Sequence, residues 1–192
     1  MKLTFKKEFD GDLEKLPKRE VEGAVIFKEP ESIKKLSMIA NAIGAVIIVA
    51  AWIPIFITAF KSDISVNLMV HYLVALILAL LVLFPHEILH ALCFKKDVQM
   101  YTYLKKGLMF VVGTEDMSKK RFVFMSMLPN ICFGIIPYIL FFFFPEQLWL
   151  GFFGAVNLGA GAGDYINVFN ALTQVPNGAK VFMSGHRSYW HR

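Results

Sequence analysis

The residues with the strongest chemical signature are Pro85-His86-Glu87-Ile88-Leu89-His90. The pattern is H-E-x-x-H. On a helix, His86 and His90 stand one turn apart on one face, a spacing at which two imidazoles grip one Zn²⁺. Glu87 is the next residue round, placed to take a proton from a water whose pKa the metal lowers to about 7. The chemistry is metal-assisted hydrolysis. The motif sits near the end of a long apolar run that begins at about Asn67. Ionisable groups inside a membrane helix cost about 2.5–3.5 kcal/mol each on insertion scales. Three in five residues therefore argue for a task. The competing explanation is a helix end that has reached the interface, with three solvated side chains.

The elements that must position these residues are apolar. The chain of 192 residues is 56% hydrophobic, with a mean hydropathy of +0.54, above the roughly 45–50% apolar content of soluble domains. Runs long enough to cross a bilayer, about 20 residues, cover 38–60, 67–94, 122–144 and 148–172. The expected fold is an all-α membrane protein with about four transmembrane helices and a short strand-bearing cytoplasmic loop after the second. Residues 1–37 form a cytosolic juxtamembrane segment, 38–172 the four-helix membrane domain and 173–192 a cytosolic tail. Pro85 is expected to kink the second span beside His86. No signal peptide is expected, because mostly polar residues precede the first apolar run. Cys93 and Cys132 lie in separate apolar segments, which disfavours a disulfide.

The connection from Lys95 to Arg121 carries two β-prone runs, Val98–Leu104 and Leu108–Val112, around Lys105-Lys106-Gly107, a hairpin signal. A strand edge there could hold an extended peptide; an interfacial loop anchored by Tyr101 and Tyr103 is the alternative. His71, His186 and His191 are expected at interfaces or surfaces.

Charge sets orientation. Lys and Arg number nine before the first span, one in the first loop, seven in the long loop, none in the third loop and three in the tail. The positive-inside rule then puts both termini and the long loop in the cytoplasm. The net charge of +5 serves topology, not nucleic acid. Spans two and four run in the same direction, and His86 and Asp164 both fall about 24–29 Å from the outer boundary. Asp164 is the one acidic residue inside the fourth span and arrives at the right depth to complete a His₂-carboxylate site. Glu115 and Asp116, otherwise expected to be solvated acids, and Cys93, otherwise a small residue packing in the bundle, remain alternatives as third ligand. The small residues between Asn157 and Asp164 allow close helix approach or local unwinding. Asn130, a polar group at depth, can hydrogen-bond another helix or position substrate. Asn167 lies one turn beyond Asp164 and is a second candidate for positioning substrate.

Motif and layout together resemble a family of small bacterial membrane proteins described as putative zincin peptidases, and more distantly the site-2 protease group of intramembrane metalloproteases. The resemblance covers about Met38–Arg192. It rests on His86-Glu87-x-x-His90, the strand-bearing loop, Met127-Leu128-Pro129 and Gly163-Asp164-x-x-Asn167. Site-2 proteases carry their third ligand in N-x-x-P-x-P-x-x-D-G. Here Asn157 precedes Asp164, with glycines in place of the prolines and Tyr165 in place of the last Gly. The resemblance implies a zinc-dependent, membrane-embedded peptidase of the cell membrane. It would cleave a membrane protein or peptide on the cytoplasmic side, with Glu87 catalytic and His86, His90 and Asp164 on zinc. Two rival functions are a non-catalytic adaptor with a structural zinc site and a metal-handling or transport protein. Oligomeric state is not encoded in any motif.

Overall fold

The computed structural model describes residues 2–61, 67–103 and 108–192. Its elements in order are β1 (Leu3–Glu8), β2 (Val25–Ile26), α1 (Ile33–Lys61), α2 (Leu68–Leu81), α3 (Leu83–Leu92), β3 (Val98–Tyr103), β4 (Leu108–Val112) and β5 (Met117–Ser118). Then come α4 (Lys119–Pro129), a π-helical turn (Asn130–Ile135), α5 (Ile136–Phe143), α6 (Leu148–Ala160), α7 (Ala162–Gln174), β6 (Lys180–Ser184) and β7 (Arg187–His191). The chain divides into two compact units.

The first unit holds Met1–Glu29, Phe84–Met127 and Asn167–Arg192. It carries two sheets, ordered β1-β3-β4 and β2-β7-β6-β5. β1 runs parallel to β3, with Leu3 opposite Val98. β3 and β4 form the antiparallel hairpin the sequence signals, Tyr103 opposite Leu108; its turn at Lys105-Lys106-Gly107 lies outside the described residues. β6 and β7 make a second hairpin, turned at Gly185 with φ 61°. A core of Phe27, Ala91, Phe94, Val98, Phe122 and Val181 is sealed beneath α3 and the sheets.

The second unit holds Pro30–Leu83 and Leu128–Ile166. Ile55, Phe141, Leu148 and Phe152 form its core. α1 and α6 touch at glycines: a Cβ on Gly44 would lie 2.5 Å from the carbonyl oxygen of Gly159. The small-residue stretch thus serves close approach, and it also breaks the helix, since α6 ends at Ala160 and α7 begins at Ala162. His71 accepts from the backbone N–H of Trp149 at 3.3 Å, satisfying a donor at the start of α6.

Two sheets overturn the all-α expectation. The polar leading segment and the tail both contribute strands: β1 pairs with β3, and β2 with β7. Hydropathy registers long apolar runs, whereas β1 and β2 are six and two residues long and largely exposed. The count of four spans is also corrected. Among the described residues two helices are long and apolar enough to cross a membrane, Ile33–Lys61 and Lys119–Phe143. A third counts if α2 and α3, bent by 42° at their break, act as one. The run 148–172 splits at Gly161, and the 13 residues of α6 reach only about 20 Å of a core about 30 Å thick.

The break before the motif lies at Val82, three residues ahead of Pro85. A proline ring clashes with the carbonyl four residues back, here Leu81, so α2 ends there. Pro85 falls in the first turn of α3, where its missing N–H removes no helical bond.

Candidate metal centre

α3 places His86, Glu87 and His90 on adjacent positions of one short helix. His90 is buried at 7% exposure, and His86 and Glu87 are half-buried. One ligand atom from each of the three falls within 4.8 Å of the others. The Nε2 atoms of His86 and His90 stand 3.2 Å apart. Two nitrogens on a tetrahedral zinc at about 2.0–2.1 Å would stand about 3.3 Å apart, so the pair fits that ion.

The donor chemistry fits as well. His90 Nδ1 lies 2.9 Å from the carbonyl oxygen of Met125. A carbonyl only accepts, so Nδ1 carries the proton and donates it, and Nε2 keeps its lone pair toward His86. The Met125 carbonyl would ordinarily bond to the N–H four residues on. That residue is Pro129, inside α4, which has no N–H to give.

The C-terminal end of α3 is held by Arg121, whose Nε donates to the carbonyl of Cys93 at 2.8 Å. A cation there also suits the helix dipole. Glu115 accepts from the backbone N–H of Lys95 at 2.8 Å and from that of Lys96, and pairs with Arg121. Glu115 is only 5% exposed, not the solvated acid the sequence suggests. Burial pushes its carboxyl up, but the two backbone donors and Arg121 outweigh that and hold it below the usual carboxylate range. Asp116 bonds Arg19 at 3.0 Å and His191 at 2.9 Å. The Cys93 thiol donates to the Leu89 carbonyl at 3.5 Å, and its side chain packs on the core.

The remaining candidates belong to the second unit or to α7. Asn130 opens the π-helical turn at 1% exposure, and its Nδ2 donates to Asp164 Oδ2 at 2.8 Å. It therefore makes the interhelical hydrogen bond that was one of its two expected roles. The Tyr165 hydroxyl donates to Asn130 Oδ1 at 3.2 Å. Asp164 sits in the first turn of α7, half-buried, and Asn167 follows one turn on.

Sequence reasoning missed Met125 and Arg121. Arg121 was one cation in a basic run assigned to topology. Met125 acts through its backbone, and the one signal for it is the proline four residues later.

Residues 79–180, just over half of the chain, match the model of a family described as Putative zincin peptidase. No curated protein and no solved structure matches the chain.

Proposed function

The chain belongs to the putative zincin peptidase family, and on that premise we propose that it is a membrane-embedded zinc peptidase. It hydrolyses a peptide bond of a membrane protein or peptide in or near the cytoplasmic side of the cell membrane, in the manner of site-2 proteases. The observation that carries the reading is the pair of Nε2 atoms 3.2 Å apart, with His90 held by Met125 in the tautomer whose Nε2 carries a lone pair.

In this mechanism His86 and His90 would hold the ion through their Nε2 lone pairs. Asp164 is the proposed third ligand, on the sequence argument, with Asn130 fixing one of its carboxylate oxygens. Asn167 is left to orient the substrate. A bound zinc supplies Lewis acidity, toward the scissile carbonyl and toward water. The Glu87 carboxylate takes a proton from the attacking water. The water oxygen bonds to the carbonyl carbon. Glu87 then delivers its proton to the amide nitrogen as the C–N bond breaks, releasing a carboxylic acid and an amine, between which the remaining water proton passes to give carboxylate and ammonium. A transmembrane substrate must unwind locally, because a helix occupies its own carbonyls.

Two apolar helices of spanning length support the membrane setting. The pairing of β2 with β7 supports both termini lying on one side. The test is elemental analysis of the detergent-purified protein, wild type beside Glu87→Gln, His86→Ala and Asp164→Ala, together with cleavage of a labelled membrane peptide. About one zinc per chain is expected in wild type and Glu87→Gln, with the metal lost from the other two and turnover confined to wild type. Cleavage by Glu87→Gln at the wild-type rate would overturn the mechanism.

A further inference from the structure

The first unit contains a concavity built by residues that the metal centre does not use. It measures about 740 Å³ and is formed by the start of α4, the end of α7 and the chain entering β6. That volume lies within the roughly 300–1,000 Å³ of small-molecule sites. Its floor is apolar, made by Val123, Phe124, Met127 and Leu172. Phe124 and Leu172 are 54% and 56% exposed, large apolar side chains left open along the same cavity.

Its rim is cationic. Lys119, Lys120 and Lys180 line the cavity, and among the described residues no carboxylate does. The three lysines have different work. Lys119 is spent on the fold: its Nζ donates to the carbonyls of Leu172 at 3.1 Å and Val175 at 2.8 Å, tying α4 to the end of α7. Lys120 and Lys180 are exposed. The β5–β6 ladder sets Lys180 opposite Ser118, and Lys120 follows two residues on, in the first turn of α4. The N-terminal N–H groups of that 11-residue helix add positive potential at the same rim. One end of the cavity therefore suits a phosphate and the other a hydrocarbon chain. The site also stands at the N-terminal end of Lys119–Phe143, a helix of spanning length, where a headgroup would meet it.

We propose that this cavity binds one anionic phospholipid, its phosphate held by Lys120, Lys180 and the N-terminus of α4 and an acyl chain lying along Val123, Phe124, Met127 and Leu172. The site is separate from the H-E-x-x-H residues, so the assignment rests on the membrane setting proposed above but not on the peptidase chemistry. A free phosphate would leave the apolar floor uncovered, and a neutral lipid would leave the two lysines unmatched.

The test is native mass spectrometry of the full chain in detergent, titrated with phosphatidylglycerol or with phosphatidylcholine of the same acyl chains. One phosphatidylglycerol should bind about 30-fold more tightly than phosphatidylcholine, as two lysine contacts allow. Lys120→Glu with Lys180→Glu should abolish the preference, and the milder pair of alanines should cut it to a few-fold. Phe124→Ser should weaken both lipids alike. Zinc content should stay the same in every variant. Equal affinity for the two lipids in wild type would overturn the proposal, as would a preference that survives charge reversal. Full displacement of phosphatidylglycerol by inorganic phosphate would make this an anion site without a lipid tail. Displacement by an acidic amphipathic peptide, with no response to phosphatidylglycerol, would make it a protein-docking surface. Either result also overturns it.

Discussion

The Nδ1–H of His90 donates to the carbonyl of Met125 at 2.9 Å, across 35 residues of chain. That carbonyl is available on the helical side because residue 129 is proline. The proline therefore acts on a metal ligand without approaching it. Pro129→Ala returns an N–H that competes for the Met125 oxygen and loosens the His90 ring. Loss of such a partner typically costs about 10–100-fold in metal affinity. We expect zinc affinity, measured by chelator competition, to fall by about 10-fold, with one zinc still bound at saturation. Unchanged affinity would show that His90 is held whatever occupies position 129.

Buried Glu115 and half-buried Arg121 form an ion pair at the end of the helix that carries the motif. Deleting Glu115 strands two backbone N–H donors but leaves Arg121 partly exposed and still bonded to the Cys93 carbonyl, so the cost is about 1–3 kcal/mol, below that of breaking a fully buried pair. Glu115→Ala should lower stability by about that much in denaturant titration. The pH dependence has a definite sign. The carboxyl is held below its ordinary value of about 4.3. Its contribution is therefore complete above that value and disappears as pH falls through the lower folded-state value. Wild type should lose stability below about pH 4 more steeply than Glu115→Ala.

Glu29 should behave in the opposite sense. Its side chain is 6% exposed, with Arg187 Nε 3.6 Å away. Burial raises its carboxyl above the usual range, and Arg187 only partly offsets this. A raised folded-state value gives stability that is complete below the unfolded value and is lost as pH rises through the folded one. Glu29→Gln should therefore cost less stability at pH 7 than at pH 4. A larger cost at pH 7 would mean that the Arg187 attraction outweighs burial.

The metal motif was legible because its information is local: two histidines and a glutamate within one helical turn. The β3–β4 hairpin was legible for the same reason, as two β-prone runs lie on either side of a turn signal. β1 was not. Its partner Val98 is 95 residues from Leu3, and the parallel pairing leaves no turn between the strands to read. The tail strands β6 and β7 follow a visible turn at Pro176-Asn177-Gly178, but each is five residues long and weak beside the apolar runs that dominate hydropathy. Glu115 looked solvated because its neighbours are polar; its burial depends on Arg121 and on the backbone beyond α3.

Two glycines two residues apart separate packing from mere smallness. A Cβ on Gly161 would lie 1.6 Å from Asn130 Oδ1, while one on Gly163 would meet nothing within 4 Å. Gly161 marks the break between α6 and α7, and Asn130 is the residue that holds Asp164. Gly161→Ala must push the Asn130 side chain or the backbone aside, at a cost of about 1–3 kcal/mol, and it should release the Asp164 carboxylate. Gly163→Ala sits in a helix with open space and should be neutral or stabilising by up to about 1 kcal/mol. If Asp164 is a zinc ligand, Gly161→Ala should also weaken zinc binding by about 10-fold, and Gly163→Ala should not. Thermal melting and chelator competition on the two variants read both effects. A Gly161→Ala protein that is destabilised yet binds zinc as wild type would remove Asp164 from the metal site while leaving its bond to Asn130 a structural one.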